Sequence, residues 1–313
     1  MSKRPDHEPA GVEPAATTVE LVIEGRPRGV GSITVARLLP FAKRRMIGPF
    51  IYLDHMGPVE LAADVGFDVP PHPHIGLSTV TYFLAGENVH RDSLGTVQVN
   101  RPGDLNLMTA GRGVVHSERA DPAWRARGGV MHGIQMWVAL PTAHEDDAPS
   151  FEHHPQATLP AVTPADGVRG RVLMGRAYGA TSPIRHPSEP LLIDLELEVG
   201  ATVELPADAE RGVLVIEGEI CISDQVLGAD HLAVLLAGAP AEISATARSR
   251  VLVVGGATLG DRLIDWNFVA STRDRIDRAR AEWKAQAPRF PKVPGDDGEV
   301  VPYPERHHDA RLT

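Results

Sequence analysis

Residues 71–86 read Pro71-His72-Pro73-His74-Ile75-Gly76-Leu77-Ser78-Thr79-Val80-Thr81-Tyr82-Phe83-Leu84-Ala85-Gly86. Two histidines at i and i+2 run into a stretch rich in β-branched and aromatic residues that stops on a glycine. That is the composition of a β-strand bounded by turns. Alternate side chains of an extended strand share a face, so His72 and His74 point the same way. A second run, Gly111-Arg112-Gly113-Val114-Val115-His116-Ser117-Glu118, repeats the spacing with one imidazole and one carboxylate. If the two segments face each other across a barrel, His72, His74, His116 and Glu118 converge. A lone His-x-His is commonly a solvated turn. The shared spacing beside strand-like segments of one region selects metal binding instead. Three imidazoles and a carboxylate with open positions suit iron(II) first, with manganese, copper, nickel and zinc as alternatives.

Outward from this stretch the texture repeats. Short apolar runs at 20–23, 78–84, 104–108, 134–140, 191–197, 212–216, 232–236 and 250–254 have strand lengths and are bounded by Gly, Pro or Asp. The 30 glycines and 27 prolines among 313 residues exceed average usage and imply many turns. The fold class predicted is all-β, a barrel or sandwich. An internal repeat divides it. Residues 83–87 resemble 215–219, and 104–111 resemble 231–238, in the same order. His72 and His74 lie 14 and 12 residues before Gly86, and the same offsets before Gly218 give Glu204 and Pro206. His116 and Glu118 lie 5 and 7 residues after Gly111, and the same offsets after Gly238 give Ile243 and Ala245. The second copy lacks the ligands, so one metal site is expected, in the first domain. The division reads as a flexible tail over 1–18, a metal-bearing domain over 19–145, a Pro-rich and acidic linker over 146–165, and a second domain over 166–313. A short helix is expected near the C-terminus. Ser271 or Thr272 would cap it, Ile276, Ala279 and Trp283 share its buried face, and Pro288 follows its end. Beyond Pro291 the chain reads as a surface tail.

Composition excludes several functions. A net charge of −10 lacks the basic footprint that direct nucleic-acid binding needs. The single cysteine, Cys221, rules out an intrachain disulfide and every Cys-rich zinc or iron–sulfur framework, and suits a small apolar core residue. No apolar run reaches membrane-spanning length and no secretory h-region opens the chain, so a cytoplasmic location is expected. His116-x-Glu118 lacks the Pro-Cys-x-x-Cys partner of a zinc deaminase. His-Glu-x-x-His, Gly-x-Ser-x-Gly and Walker-type loops are also missing. His55 and His132 read as packed or supporting groups beside the pocket. Gln135 reads as either a hydrogen-bonding group there or a packed residue. His90 and Asp92 fall in a turn, and the pairs 153–154 and 307–308 face solvent.

Further runs carry a resemblance. They are His90-Arg-Asp-Ser-Leu-Gly95, Gly133-Ile-Gln-Met-Trp-Val-Ala-Leu-Pro141 and Phe290-Pro-Lys-Val-Pro-Gly-Asp-Asp297. With 71–86 and 110–118 they resemble the pirin family of the cupin superfamily, across roughly 19–304. The resemblance implies a bicupin, two stacked cupin-type β-barrels, with iron(II) in the first on His72, His74, His116 and Glu118. Arg119-Ala120 departs from the pattern at the rim of the site. The family implies two activities. One is a quercetin 2,3-dioxygenase (quercetinase), an oxidoreductase that opens a small aromatic, flavonol-like substrate with O2; Glu118 would leave the metal transiently and act as general base. The other is a non-enzymatic, metal- or redox-responsive regulator that binds a protein partner, either a transcription factor or a metabolic enzyme.

Overall fold

The computed structural model describes residues 18–207 and 210–304, so the expected tail lies outside the described residues apart from Thr18, as does the pair 307–308. Two seven-stranded antiparallel sheets dominate. The first runs Ser150–His154, Leu105–Thr109, Leu77–Ala85, Gly129–Ala139, Phe50–Leu61, Ile33–Leu39, Arg26–Val30. The second runs Val19–Glu24, His231–Leu235, Glu210–Glu217, Ser249–Gly256, Pro190–Leu197, Val168–Met174, Ala161–Ala165. A four-stranded sheet complements each. Val69–His74, Val114–Arg119, Asn88–Asp92 and Val97–Asn100 make one; Thr202–Glu204, Glu242–Ala245, Glu219–Ile222 and Gln225–Gly228 make the other. The all-β architecture and the short C-terminal helix are as the sequence predicts, and the two barrels are as the resemblance implies.

Strand alternation sorts the side chains. Leu53, Val80, Ile134 and Met136 of the first sheet pack with Leu192, Leu214, Leu252 and Val254 of the second in one apolar cluster between the sheets. The opposite face of the second sheet, with Ile193, Val213, Val215 and Val253, fills its own barrel together with Ile220, Ile222 and Ile243. Strands buried on both faces read as unbroken apolar runs, and 213–216 and 251–254 do. The first barrel differs. Its inward face carries Arg37, Tyr52, Asp54, Thr81, Gln135 and Trp137, and it encloses a cavity of about 520 Å³.

Strand pairing crosses the segment boundaries read from sequence. Val19–Glu24 hydrogen-bonds to His231–Leu235 of the second sheet. Within 146–165, Ser150–His154 forms the edge of the first sheet, which half-buries His153 and His154, and Ala161–Ala165 forms the edge of the second. Cys221 is half-buried on Glu219–Ile222. At the C-terminus Phe268, Ile276, Trp283, Phe290, Val293 and Tyr303 pack with Ile75 and Val115 of the first barrel. The backbone amide of Val301 donates to Pro71 O at 2.9 Å. Residues 263–304 therefore wall the first barrel.

The helix Arg273–Lys284 buries Ile276, Ala279 and Trp283, the expected face. Neither expected side chain caps it. Thr272 occupies the N-cap position without a side-chain hydrogen bond, and Ser271 donates its amide and hydroxyl to Glu145 at 2.6 and 2.8 Å. Glu145 is buried and also pairs with Arg275 Nε at 3.0 Å. A carboxylate removed from water outcompetes a local cap for that hydroxyl. An unanticipated helix, Pro122–Arg127, starts on Asp121, whose carboxylate caps Ala123 N and Trp124 N, with proline at the first helical position. Glu145→Ala should cost about 3 kcal/mol, because Arg275 loses a buried partner and Ser271 its acceptor. Urea unfolding with limited proteolysis checks this; a loss under about 1 kcal/mol would contradict the anchoring role.

Candidate metal centre

Val69–His74 and Val114–Arg119 are antiparallel neighbours, with His116 directly opposite His72 and Val114 opposite His74. The register shifts between His116 and Glu118. Cross-strand pairing sets the ring spacings: 4.3 Å between the centroids of His72 and His116, and 5.0 Å from His74 to each of them. Among the described residues, His72, His74 and His116 are the group whose ligand atoms all lie within 4.8 Å of one another. Two glycines allow the close approach. Gly76 has φ 66°, and a Cβ there would sit 2.1 Å from Val269 O; Gly111 has φ 49°, and a Cβ there would sit 2.1 Å from Asp147 O.

Hydrogen bonds preset the rings. His72 Nδ1 lies 2.8 Å from Pro70 O and His74 Nδ1 lies 2.9 Å from Asn267 O. A carbonyl only accepts, so both Nδ1 atoms carry the proton and both Nε2 atoms keep a lone pair. Burial lowers His72 to about 4. Burial, then the neighbouring imidazoles, hold His74 and His116 well below the usual histidine range. Three neutral rings at pH 7 are three nitrogen ligands. Glu118 Oε1 lies 3.3 Å from His116 Nδ1, and burial pushes its carboxyl up to about 8. His116 Nε2 and Glu118 Oε2 are buried without a hydrogen-bond partner. Orphaned buried atoms of this kind are costly. A divalent cation satisfies this donor set, so the residues present fit a metal.

The other expected residues divide. Gln135 lines the cavity and accepts from Thr81 Oγ1 at 2.9 Å. His55 and His132 do not line it. His55 alternates out of phase with Tyr52 and Asp54, and the register shift between Met131 and Gly133 turns His132 to the same outer side. Their Nε2 atoms meet at 2.9 Å between the two barrels, and His55 Nδ1 donates to Asp230 at 2.6 Å. His90 and Asp92 are not in a turn: both lie on the strand Asn88–Asp92, paired with Val114–Arg119. Buried His90 places Nδ1 3.4 Å from His116 Nδ1 and Nε2 3.0 Å from Asp92. Asp92 ends the strand and accepts from Leu94 N and Thr96 N of the following turn. Sequence reasoning missed Arg37, Tyr52, Asp54 and Trp266, which also line the cavity. The signal was there for three of them: polar residues at alternate positions in 50–56, and a lone charge in 33–39.

Known proteins agree with this architecture. Residues 32–138 match the Pirin family model and residues 192–290 match the Pirin C-terminal cupin domain. A pirin-like protein of Caulobacter vibrioides is 44% identical over 293 residues, covering 92% of this chain and 100% of the relative. The chain belongs to the pirin family. The crystal structure of a quercetin 2,3-dioxygenase from Acinetobacter baumannii superposes with TM-score 0.86 at 36% identity, covering 93% of this pirin and 97% of that chain. An Escherichia coli pirin in complex with nickel(II) shares the fold, with TM-score 0.59 at 19% identity, covering 76% of this chain and 99% of that one. At the departure beside the site, Arg119 pairs with Asp296 through two hydrogen bonds, 2.8 and 3.0 Å. The pair ties the strand end that carries Glu118 to the C-terminal segment of the pirin. Among the described residues no helix is long and apolar enough to cross a membrane.

The buried groups set opposite pH slopes in metal-free protein. His72, about 4 when folded against about 6.5 unfolded, stays neutral in the fold, so stability falls as pH drops from 6.5 toward 4. Glu118, about 8 when folded against about 4.5 unfolded, holds its proton only in the fold, so stability falls as pH rises toward 8. Metal-free protein should therefore lose about 2 kcal/mol between pH 6.5 and 8, and Glu118→Gln should flatten that limb. Chemical denaturation across the range measures it; an unchanged limb in the variant would refute the assignment to Glu118.

Proposed function

We propose that this pirin is a metal-dependent quercetin 2,3-dioxygenase that holds iron(II) on His72, His74, His116 and Glu118 and opens a flavonol-like ring with O2. One observation carries the reading: three neutral, buried imidazoles and an orphaned carboxylate bound an aromatic-walled cavity in the first barrel, while aliphatic side chains fill the second. The likeness to the Acinetobacter baumannii enzyme supports it. A bound iron(II) supplies Lewis acidity toward a substrate oxygen and electron transfer toward O2.

The protein's own part follows from its side chains. His72 and His74 keep their Nε2 lone pairs directed by the Pro70 and Asn267 carbonyls. Glu118 Oε2, without a hydrogen-bond partner, accepts the proton of the substrate hydroxyl. Phe83, Trp137 and Trp266 line the cavity and exclude water from the ring. The small aromatic substrate and O2 reach the same side chains, which gives the reaction its proximity. The single cysteine supports a reducing, cytoplasmic setting.

The regulatory alternative draws on one contact. The carbonyl that orients His74 belongs to Asn267 of the C-terminal unit, so the state of the metal site bears on an outer surface a protein partner would read. Equal hydrogen-exchange protection of residues 263–304 in metal-free and iron-loaded protein would rule that out.

Anaerobic mixing of iron(II)-loaded protein with a flavonol, followed by O2, tests the enzyme. O2 uptake should match flavonol loss, with His74→Ala inactive and Glu118→Gln slowed by about a hundredfold. Uptake no greater than that of metal-free protein overturns the reading.

A further inference from the structure

The cavity wall beside the histidines is built in two rows across the first sheet. Arg37, Asp54, Gln135 and Thr81 sit opposite one another on four successive strands, and Tyr52 and Trp137 make the neighbouring row. The aromatic row leads to the metal centre. Tyr52 stacks on Trp137 at 4.0 Å and 12°, and Trp137 meets the His74 ring edge-on at 5.1 Å. At the other end the Arg37 guanidinium lies 4.5 Å over the Tyr52 ring. One guanidinium–ring contact and two ring–ring contacts thus link Arg37 to His74 along the wall.

The polar row presents donors. Arg37 Nε and Nη2 each lie 2.8 Å from an oxygen of buried Asp54, and Nη2 also donates to the Tyr52 hydroxyl. Tyr52 in turn donates to Asp54 at 2.6 Å, so both carboxylate oxygens are engaged. A guanidinium has five N–H groups. Among the described residues the two on Nη1 have no hydrogen-bond partner, and Arg37 remains partly exposed at the cavity. Gln135 adds to this. Its carbonyl oxygen takes the Thr81 hydroxyl proton, which leaves its amide N–H groups as donors. A guanidinium gripped on two sides and stacked on a ring is a rigid fork, the arrangement that reads an acceptor oxygen in one plane.

We infer that Arg37, assisted by Gln135, is a specificity subsite that selects planar aromatic substrates bearing oxygen acceptors away from the edge that meets the metal. The inference rests on the dioxygenase reading for the orientation of the substrate. The chemical class is a polyhydroxylated, or otherwise oxygen-rich, flat aromatic. Asp54 and Tyr52 are positioning residues: they hold the fork and leave its open edge to the ligand.

Ligand binding separates this subsite from turnover. Nickel(II)-loaded protein without O2 is titrated with 3-hydroxyflavone and with quercetin, following tryptophan fluorescence. Wild type should bind quercetin at least tenfold tighter, the scale of one charge-assisted hydrogen bond. Arg37→Met should weaken quercetin by about tenfold or more and 3-hydroxyflavone by less than twofold. Arg37→Lys keeps the charge beside Asp54, and so the fold, but loses the planar fork; it should recover only part of the preference. Equal weakening of both ligands in Arg37→Met makes Arg37 a structural residue and overturns the inference. So does the absence of any preference in wild type, or of any binding. If the preference exists but neither compound supports O2 uptake with iron(II), the subsite stands and the dioxygenase reading falls. If both compounds are consumed with KM values that Arg37→Met leaves unchanged, the reverse holds.

Discussion

Three imidazoles and a carboxylate are drawn out of water into one barrel, and His116 Nε2 and Glu118 Oε2 are left there without a hydrogen-bond partner. Desolvation keeps the rings neutral, because a charged imidazolium in such a place would lose its hydration and face other imidazoles. It also keeps the carboxyl protonated until something cationic arrives. The same burial leaves His116 Nε2 and Glu118 Oε2 without a hydrogen-bond partner, an arrangement that a divalent ion would satisfy. Backbone carbonyls of Pro70 and Asn267 meanwhile fix which nitrogen each ring offers.

The two barrels descend from one strand pattern and diverge in what faces inward. On the shared interface both sheets present leucine, isoleucine, valine and methionine, and neither can carry charge there without a partner. Where polar groups do enter the interface they are paired: His55 and His132 meet Asp230 from the second barrel, and Tyr82 donates to Asp194, which also holds Arg250. Inside, the second barrel packs to completion with aliphatic side chains. The first has arginine, aspartate, glutamine and tyrosine at the corresponding inward positions, and these cannot close on one another without leaving donors open. The polar residues line the cavity of the first barrel, and the open donors of Arg37 and Gln135 face into it.

Local patterns were legible in the sequence; non-local ones were not. Period-two spacing brought His72 with His74 and His116 with Glu118, because strand alternation is a property of neighbouring residues. The strands at 191–197 and 250–254 were legible for the same reason. Arg37, Asp54 and Tyr52 each stood out within its own strand, but their meeting was not legible, since it depends on the register between Ile33–Leu39 and Phe50–Leu61, which no short window contains. That His55 and His132 meet each other and Asp230 between the barrels, away from the cavity, was not legible either, since it depends on cross-strand pairing and, for His132, on the register shift between Met131 and Gly133. The hydroxyl of Ser271 satisfied a cap rule in sequence and went to Glu145 in space.

The largest non-local feature is the exchange of chain ends. The first described strand completes the sheet of the second barrel, and the last described residues wall the first. Asn267 orients His74, Trp266 and Val301 line the cavity, and Asp296 holds Arg119 next to Glu118. The first barrel thus owes part of its cavity wall, and the orientation of one of its three clustered imidazoles, to residues some two hundred positions downstream. A second barrel without ligands is then not an idle duplicate. It carries the chain back to the first barrel, where the returning segment supplies Asn267, Trp266 and Val301 to the site.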